Sequence, residues 1–259
     1  MTTDGPLATL HTPGGEGPVA VLTLADPQRR NVLSARMVDD VERLVGEAEA
    51  DPSVRALVVA AEGKAFCAGA QLDTLEGAVE GDFGPIERVY DGFLAVLRSP
   101  LLTIAAVDGP AVGAGMNLAL ACDLRLAGPR ARFDTRFLQL RLHPGGGHLW
   151  MLERAVGYQR AVAAVLLGQV WDADAAREAG LVLEVADDVV ARAVEVCGGL
   201  AGADPALVRR ILDSARTSYG LGEHADAFAL ETEAQAWSVT QPAFLDGVRS
   251  MRAAIDARR

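Results

Sequence analysis

Two stretches of small residues follow short apolar segments, and both suit chemistry that backbone N–H groups carry out. Residues 103–107 predict a buried strand, and small residues at 113–115 follow it before a helical segment at 116–122. The first N–H groups of a helix lack partners within it, and the positive end of the helix dipole lies behind them. This arrangement suits a developing negative charge, although a tight structural turn would show the same pattern.

The second stretch begins where another predicted strand, residues 56–61, ends. Residues 62–73 again contain small side chains, which let a ligand approach the backbone closely. Two backbone donors that point at one oxygen make an oxyanion hole. The two stretches together therefore indicate a site for a carbonyl group that becomes negatively charged.

Both stretches resemble motifs of a known family. FCAGAQLD at residues 66–73 resembles the first oxyanion motif of the crotonase (enoyl-CoA hydratase/isomerase) superfamily, and AVDGPAVGAGMNLALACDL at residues 106–124 resembles its second. The resemblance extends over nearly the whole chain. It implies an α/β crotonase-like fold, a spiral of repeated strand–strand–helix turns, and a coenzyme A thioester as substrate or ligand. The motifs are specific for the superfamily but not for one reaction.

The resemblance also implies roles for individual residues. Ala68 and Ala114 are expected to donate the two N–H groups to the thioester oxygen. Contacts with the coenzyme or its acyl group are expected at Ala68, Ala70, Gln71, Leu72 and Gly113. In the resembled family, the region at residues 72–83 forms a mobile wall of the acyl pocket.

The charge of the chain limits its partners. A net charge of −11 disfavours nucleic acid and makes an anionic coenzyme awkward unless positive charge is concentrated locally. Arg29 and Arg30 form a basic pair, and Lys64 is the only lysine in the chain. The resemblance implies that both regions lie beside the phosphates and adenine of coenzyme A, and both side-chain types hold phosphate. The alternative is that these cations are merely solvated.

The residues expected to move protons are replaced. Hydration of an α,β-unsaturated thioester requires deprotonation of a water and protonation of the α-carbon, and the resembled hydratases use two glutamates for these steps. Alignment through GAGMN gives Asn117 at the first glutamate position. Alignment through ARF and HPGGG gives Phe137 at the second. Neither an amide nor a phenyl ring exchanges a proton usefully, so we expect hydration to be weak or absent.

Other polar side chains near these positions are candidates for proton transfer or substrate binding. His143 and His148 flank a proline-glycine loop that lies close to the acyl group in the resembled family, and histidine titrates near neutral pH. Asp134 ends a predicted strand near the second replaced glutamate. Asn117 could hydrogen-bond a substrate carbonyl or orient a water. Each of these groups could instead bond locally.

The sequence offers no metal or nucleophile motif. His11, His143, His148 and His224 lack metal-ligand spacing, and an odd number of cysteines, three, argues against a disulfide framework. Cys67 lies inside the first motif, so a nucleophilic role is conceivable. No nearby base supports that role, and a small packing residue is the preferred interpretation.

These observations leave three functional hypotheses, and whether the chain is an enzyme stays open. The first is an acyl-CoA-binding family member that stabilises a thioester enolate but hydrates poorly; the resemblance would class it as a lyase or isomerase of fatty acid metabolism. The second is another enolate reaction: double-bond isomerisation, thioester hydrolysis or decarboxylation. The third is a non-catalytic acyl-CoA-binding protein. A base within reach of the α-carbon would favour an enzyme. A cavity lined only by apolar groups and Asn117 would favour a non-catalytic binding protein.

The 259 residues suit one large domain with a helical tail. We predict a core domain at 1–195 and a C-terminal helical region at 196–259, which in the resembled family packs on the core and on neighbouring subunits to form trimers or dimers of trimers. Met251, Arg252 and Arg258 are candidates for contact with a neighbour's coenzyme. The chain has neither an apolar run of ~18 residues nor a signal pattern, so we expect a cytoplasmic protein without a membrane partner.

Local patterns predict the remaining elements. Residues 13–17 predict a hairpin turn between strands at 7–10 and 19–24, and Ser34 predicts the cap of a helix that ends near residue 50. Asp172 and Gly180 predict the start and end of a short helix. The other strands and helices are predicted at 86–97, 123–127, 131–134, 189–201, 205–219, 223–239 and 242–258.

Overall fold

The computed structural model describes residues 5–77, 79 and 81–257, and the chain divides into two compact units, Met1–Ala201 and Gly202–Arg259. The strands are β1 (Ala8–His11), β2 (Val19–Leu24), β3 (Ala56–Ala61), β4 (Leu102–Val107), β5 (Pro110–Val112), β6 (Leu124–Ala127), β7 (Arg132–Asp134), β8 (Trp171–Asp172) and β9 (Glu184–Val185). The helices are α1 (Ala35–Ala50), α2 (Leu72–Gly77), α3 (Gly84–Arg98), α4 (Ala114–Leu120), α5 (His148–Val156), α6 (Tyr158–Leu167), α7 (Ala173–Ala179), α8 (Val189–Val196), α9 (Pro205–Ser218), α10 (His224–Ser238) and α11 (Pro242–Asp256).

Two sheets organise the first unit. The larger has the strand order β1-β2-β3-β4-β6-β9, in which β1 and β2 form the predicted antiparallel hairpin and the other neighbours run parallel. The smaller has the order β5-β7-β8, with β5 and β7 parallel. Parallel neighbours require crossover connections, and α1 and α3 provide them between β2, β3 and β4. The carboxyl ends of β3 and β4 therefore lie at one edge of the larger sheet.

Local sequence signals position several of these elements as predicted. The Ser34 hydroxyl accepts a hydrogen bond from the Met37 N–H at 3.2 Å and caps α1. Asp172 caps α7 in the same way, and Gly180 ends that helix with a left-handed backbone at φ 81°. The strand predictions at 19–24 and 56–61 are confirmed residue for residue by β2 and β3.

Other boundaries differ from the predictions. The helix predicted at 189–201 ends at Val196 and continues only as a 3-10 turn at Cys197–Leu200, because two glycines weaken the helix there. The weakly periodic stretch after the first motif forms the short helix α2. The helix predicted at 242–258 ends at Asp256, and Arg258 lies outside the described residues.

The second unit consists of α9, α10 and α11. None of the residues described in this unit is buried, and its exposed large apolar side chains include Ile211, Phe228, Leu245 and Met251. Exposed apolar surface on this scale is typical of regions that pack against something else. Across the described parts of both units, every helix is too short or too polar to span a bilayer.

Candidate active site

The first unit contains a cavity of about 810 Å³, within the usual size range of small-molecule sites. Its walls come from both small-residue motifs, from α2 and α3, and from the segment that follows β7. The residues singled out from the sequence that line it are Arg30, Ala68, Ala70, Gln71, Leu72, Gly113, Ala114, Asn117, Phe137 and His143. Arg29, Lys64, Asp134 and His148 are not among the described lining residues.

The two motifs are packed directly against each other. The Cys67 N–H donates to the Pro110 carbonyl at 3.1 Å, and the Val112 N–H donates back to the Cys67 carbonyl at 3.0 Å. A Cβ atom at Gly69 would lie 2.7 Å from the Val112 carbonyl oxygen and 3.4 Å from the Ala114 nitrogen. Only a glycine permits this approach, and Gly69 also has a left-handed φ of 94°.

The backbone N–H groups at this junction differ in whether they already have an acceptor within the protein. The Ala68 N–H donates to the Arg30 carbonyl at 3.0 Å. The expectation that Ala68 serves as an oxyanion donor is therefore corrected, because a bond within the protein already uses its N–H. The N–H groups of Ala70 and Ala114 find no acceptor among the described residues, and both residues line the cavity.

Ala114 owes its free N–H to its place in the helix. It is the first residue of α4, two residues earlier than the sequence predicts, and Gly113 precedes it as the N-terminal cap. The first N–H groups of any helix have no partner within that helix, and the helix dipole adds positive potential there. The Gly113 N–H is itself used by the Asp134 carbonyl at 2.9 Å.

Asn117 lies one turn further along α4 and is held on both sides. Its Nδ2 donates to the Gly145 carbonyl at 3.1 Å, and its Oδ1 is 2.6 Å from His148 Nδ1. The Asn117 and His148 side chains are both buried, with 1% of their surface exposed. Burial lowers the pKa of His148 to about 4, so its imidazole is neutral at pH 7. The structure thus joins two predicted site residues, Asn117 and His148, into one pair.

Phe137 completes this part of the wall. Its ring meets the His148 ring edge-on, with centroids 4.8 Å apart, and it lines the cavity beside Asn117. His143 also lines the cavity, but its ring is exposed and its Nδ1 is 2.7 Å from the Pro144 carbonyl oxygen. Both histidines of the loop therefore lie near the cavity, at different depths.

Asp134 is engaged away from the cavity. Its carboxylate accepts hydrogen bonds from the backbone N–H and the Nε of Arg136, both at 2.9 Å, and also pairs with Arg136 Nη2. This arrangement corrects the expectation that Asp134 supplies a free base, because its oxygens already neutralise a guanidinium. Arg136 itself lines the cavity, and sequence reasoning missed it.

The predicted cations lie on two adjoining loops. A Cβ atom at Gly63 would be 2.6 Å from Pro27 Cβ, so the loop before Lys64 contacts the loop before Arg29. Asn31 ties them together, since its Nδ2 donates to the Glu62 and Ala65 carbonyls at 2.9 Å. Arg29 pairs with Asp26 at 2.7 Å, whereas Arg30 reaches the cavity.

Cys67 has the environment of a packing residue. It is fully buried, and desolvation raises the pKa of its thiol to about 12. A thiol with so high a pKa carries almost no thiolate at pH 7 and is a poor nucleophile. The described residues also contain no cluster of three potential metal ligands.

The sequence predicted Ala70 as a contact for the ligand but not as a residue with a free N–H, and it did not single out Arg136 or Tyr90 as site residues. Ala70 follows the glycine of the first motif, and a left-handed glycine that reverses the chain is a signal that the next N–H can turn towards a ligand. Tyr90 lines the cavity from α3, and burial raises the pKa of its phenol. Only the helix-face pattern of α3 points to it, and that pattern equally predicts a core residue.

Comparison with known proteins identifies the family of this chain. The family model for enoyl-CoA hydratase/isomerase matches residues 14–249, so the chain belongs to the enoyl-CoA hydratase/isomerase family. The crotonase fold expected from the motifs is confirmed.

Particular relatives are similar over most of their length. The chain is 50% identical over 235 residues to the probable enoyl-CoA hydratase EchA14 of Mycobacterium tuberculosis, which covers 87% of this chain and 91% of that protein. The crystal structure of enoyl-CoA hydratase from Bacillus anthracis has a TM-score of 0.89 with 24% identity and covers 96% of both chains. A structure from Thermobifida fusca in complex with CoA has a TM-score of 0.79 with 28% identity and covers 92% of this chain and 95% of that chain.

Proposed function

We propose that this chain binds an acyl-CoA thioester in the cavity, with the thioester oxygen between the N–H groups of Ala70 and Ala114. The observation that carries the proposal is that neither N–H group has an acceptor in the part of the chain that the structure describes, and that both residues line the same cavity. Formation of an enolate moves an electron pair onto the thioester oxygen. Each donor aimed at that oxygen is worth on the order of 10²–10³ in rate.

The basic loops fit the coenzyme end of such a ligand. Arg30 reaches the cavity, and Lys64 lies on the adjoining loop, so both can meet phosphate groups in a chain that is otherwise strongly acidic. The relative from Thermobifida fusca was determined in complex with CoA, which supports a coenzyme A ligand here. Arg29 contributes less to this role because Asp26 already pairs with it.

Hydration is proposed to be weak. The alignment through GAGMN, ARF and HPGGG assigns Asn117 and Phe137 to the positions of the two hydratase glutamates, and the described lining of the cavity contains no carboxylate. A positioned acid or base contributes roughly 10²–10⁴ in rate, so its loss should be visible in turnover. Enolate reactions that need no carboxylate base, such as decarboxylation of a carboxylated acyl group, remain open to this site. Isomerisation or thioester hydrolysis would require His143, Tyr90 or a water to move the proton.

A non-catalytic binding role is the second candidate. It is favoured by the neutral and buried state of the Asn117–His148 pair, which offers no group that titrates near pH 7. We further propose that the core domain ends near residue 195, and that the helical region after it packs on neighbouring subunits in a trimer or a dimer of trimers. The exposed apolar side chains of α9–α11 support that assembly.

Titration with crotonyl-CoA by calorimetry, together with loss of the conjugated thioester absorbance, tests the proposal. Binding without turnover at hydratase rates is expected, and ordinary hydratase turnover would contradict the role given to Asn117 and Phe137. Ala114→Pro removes one proposed donor at a helix position that tolerates proline, and Ala114→Gly is the matched control that keeps the N–H. Proline should weaken thioester binding or enolate turnover while glycine preserves it. Equal behaviour of the two variants would refute the donor role.

A further inference from the structure

The polarity of the Asn117 amide follows from its two protein partners. The Gly145 carbonyl can only accept a hydrogen bond, so the group that faces it at 3.1 Å is the Asn117 NH₂. The amide oxygen therefore faces His148 Nδ1, 2.6 Å away. An oxygen only accepts, and His148 Nδ1 must consequently carry the hydrogen.

This polarity determines the state of the imidazole. A neutral ring has one N–H, and that hydrogen is on Nδ1, so Nε2 is a bare acceptor. His148 Nε2 is buried and has no hydrogen-bond partner among the described residues. A buried acceptor without a partner is costly, and the apolar Phe137 ring that packs against His148 offers it no hydrogen bond. The one side-chain hydrogen bond that the structure describes for this ring is the bond from Nδ1 to Asn117, which fixes the orientation of the amide.

One side-chain N–H of Asn117 has no acceptor among the residues that the structure describes. The Asn117 NH₂ group has two hydrogens, and the Gly145 carbonyl takes one of them. Asn117 lines the cavity and its oxygen is occupied, so the amide offers a donor and no acceptor to a bound molecule. Ala114 and Asn117 are three residues apart on α4, and residues at this spacing lie on the same face of a helix, about 5–6 Å apart at Cβ.

We propose that Asn117, oriented by His148, selects acyl-CoA thioesters that carry an oxygen acceptor on the β-carbon. This inference rests on the proposed function, since the thioester oxygen must first lie at the Ala114 N–H. The β-carbon is two bonds from the thioester carbon, so an oxygen on it lies within reach of a donor one helical turn away. A saturated acyl group with no β-oxygen leaves the donor unpaired. His148 is a positioning residue in this scheme and does not touch the substrate.

Acetoacetyl-CoA and butyryl-CoA form a matched pair for calorimetric titration, because they differ only in the β-oxygen. One neutral hydrogen bond predicts that acetoacetyl-CoA binds about three- to tenfold more tightly to the wild type. In Asn117→Leu, which keeps the number of side-chain heavy atoms and the branching at Cγ but removes the amide, the ratio should fall to about one. An unchanged ratio in this variant would overturn the proposal. If neither thioester binds the wild type, the proposed function itself fails, and this outcome is distinct from equal binding of both.

Substitutions of His148 separate positioning from mere packing. His148→Gln keeps a side-chain N–H donor for Asn117 and should keep the preference for the β-oxygen. His148→Leu fills the space without a donor and should lose the preference. Nitrogen NMR of the wild type provides a measurement that does not depend on variant folding: the Nδ1–H tautomer is expected for His148. An Nε2–H tautomer would overturn the assigned polarity.

Discussion

Acid should destabilise this protein through His148, and His148→Gln should remove that effect. The pKa of this imidazole is about 4 in the folded chain because burial penalises its charged form, against an ordinary value of 6.5. Above pH 6.5 both the folded and the unfolded states are neutral, so the group contributes nothing to the pH dependence. Between pH 6.5 and 4 the unfolded chain binds a proton that the folded chain does not, and the free energy of unfolding falls as the pH falls.

The expected size follows from the two pKa values. By pH 4 the difference corresponds to about 3 kcal/mol of lost stability from this one side chain. The loss is a substantial fraction of the stability of a typical domain.

Urea unfolding of the wild type and His148→Gln between pH 7 and pH 4 measures the effect. Carboxylates titrate in the same range but are common to both proteins, so the difference between the two free energies isolates His148. That difference should change by about 3 kcal/mol across the range in favour of the glutamine variant. His143→Gln, which removes an exposed imidazole from the same loop, is the control and should follow the wild type. Parallel profiles for the wild type and His148→Gln would refute the reasoning.

Two further predictions concern the first motif. Gly69→Ala should lower stability by more than the ~1 kcal/mol expected from a left-handed alanine, and should weaken thioester binding by about tenfold, because its Cβ would lie 2.7 Å from the Val112 carbonyl oxygen beside the Ala114 nitrogen. Gly14→Ala, where φ is 80° and no atom lies within 4 Å of the new Cβ, is the control for backbone strain alone, and equal losses in stability and binding would contradict the steric explanation. The Cys67 thiol, whose pKa burial raises to about 12, should resist alkylation at pH 8 in the folded protein and react in urea. Fast labelling of native Cys67, located by mass spectrometry, would show that this part of the site opens.

The sequence predicted correctly those helices and strands whose formation depends on residues close together in the chain. The Ser34 and Asp172 caps act on N–H groups three residues away, and β3 is an unbroken apolar run, so these signals do not depend on the rest of the chain. The sequence also indicated that the two motifs serve one site, because each places small residues directly after a predicted strand. That the two strands are parallel neighbours is a finding of the structure. The first and last residues of the elements were predicted less well. For example, α4 begins at Ala114, two residues earlier than its composition indicates.

The hydrogen bonds that define the site join residues that lie far apart in the sequence. The Ala68 N–H is bound by the Arg30 carbonyl, 38 residues earlier in the chain, whereas the Ala70 N–H has no acceptor among the described residues. No pattern within the motif predicts the bond to Arg30. The side-chain types at 117, 137 and 148 were readable from the sequence alone. Their arrangement was not, because the direction in which Asn117 presents its amide is set by Gly145 and His148, 28 and 31 residues further on. The sequence by itself determined the family and the fold. Only the tertiary structure decided which hydrogen-bonding groups remain free, since each is free only if no distant part of the chain has used it.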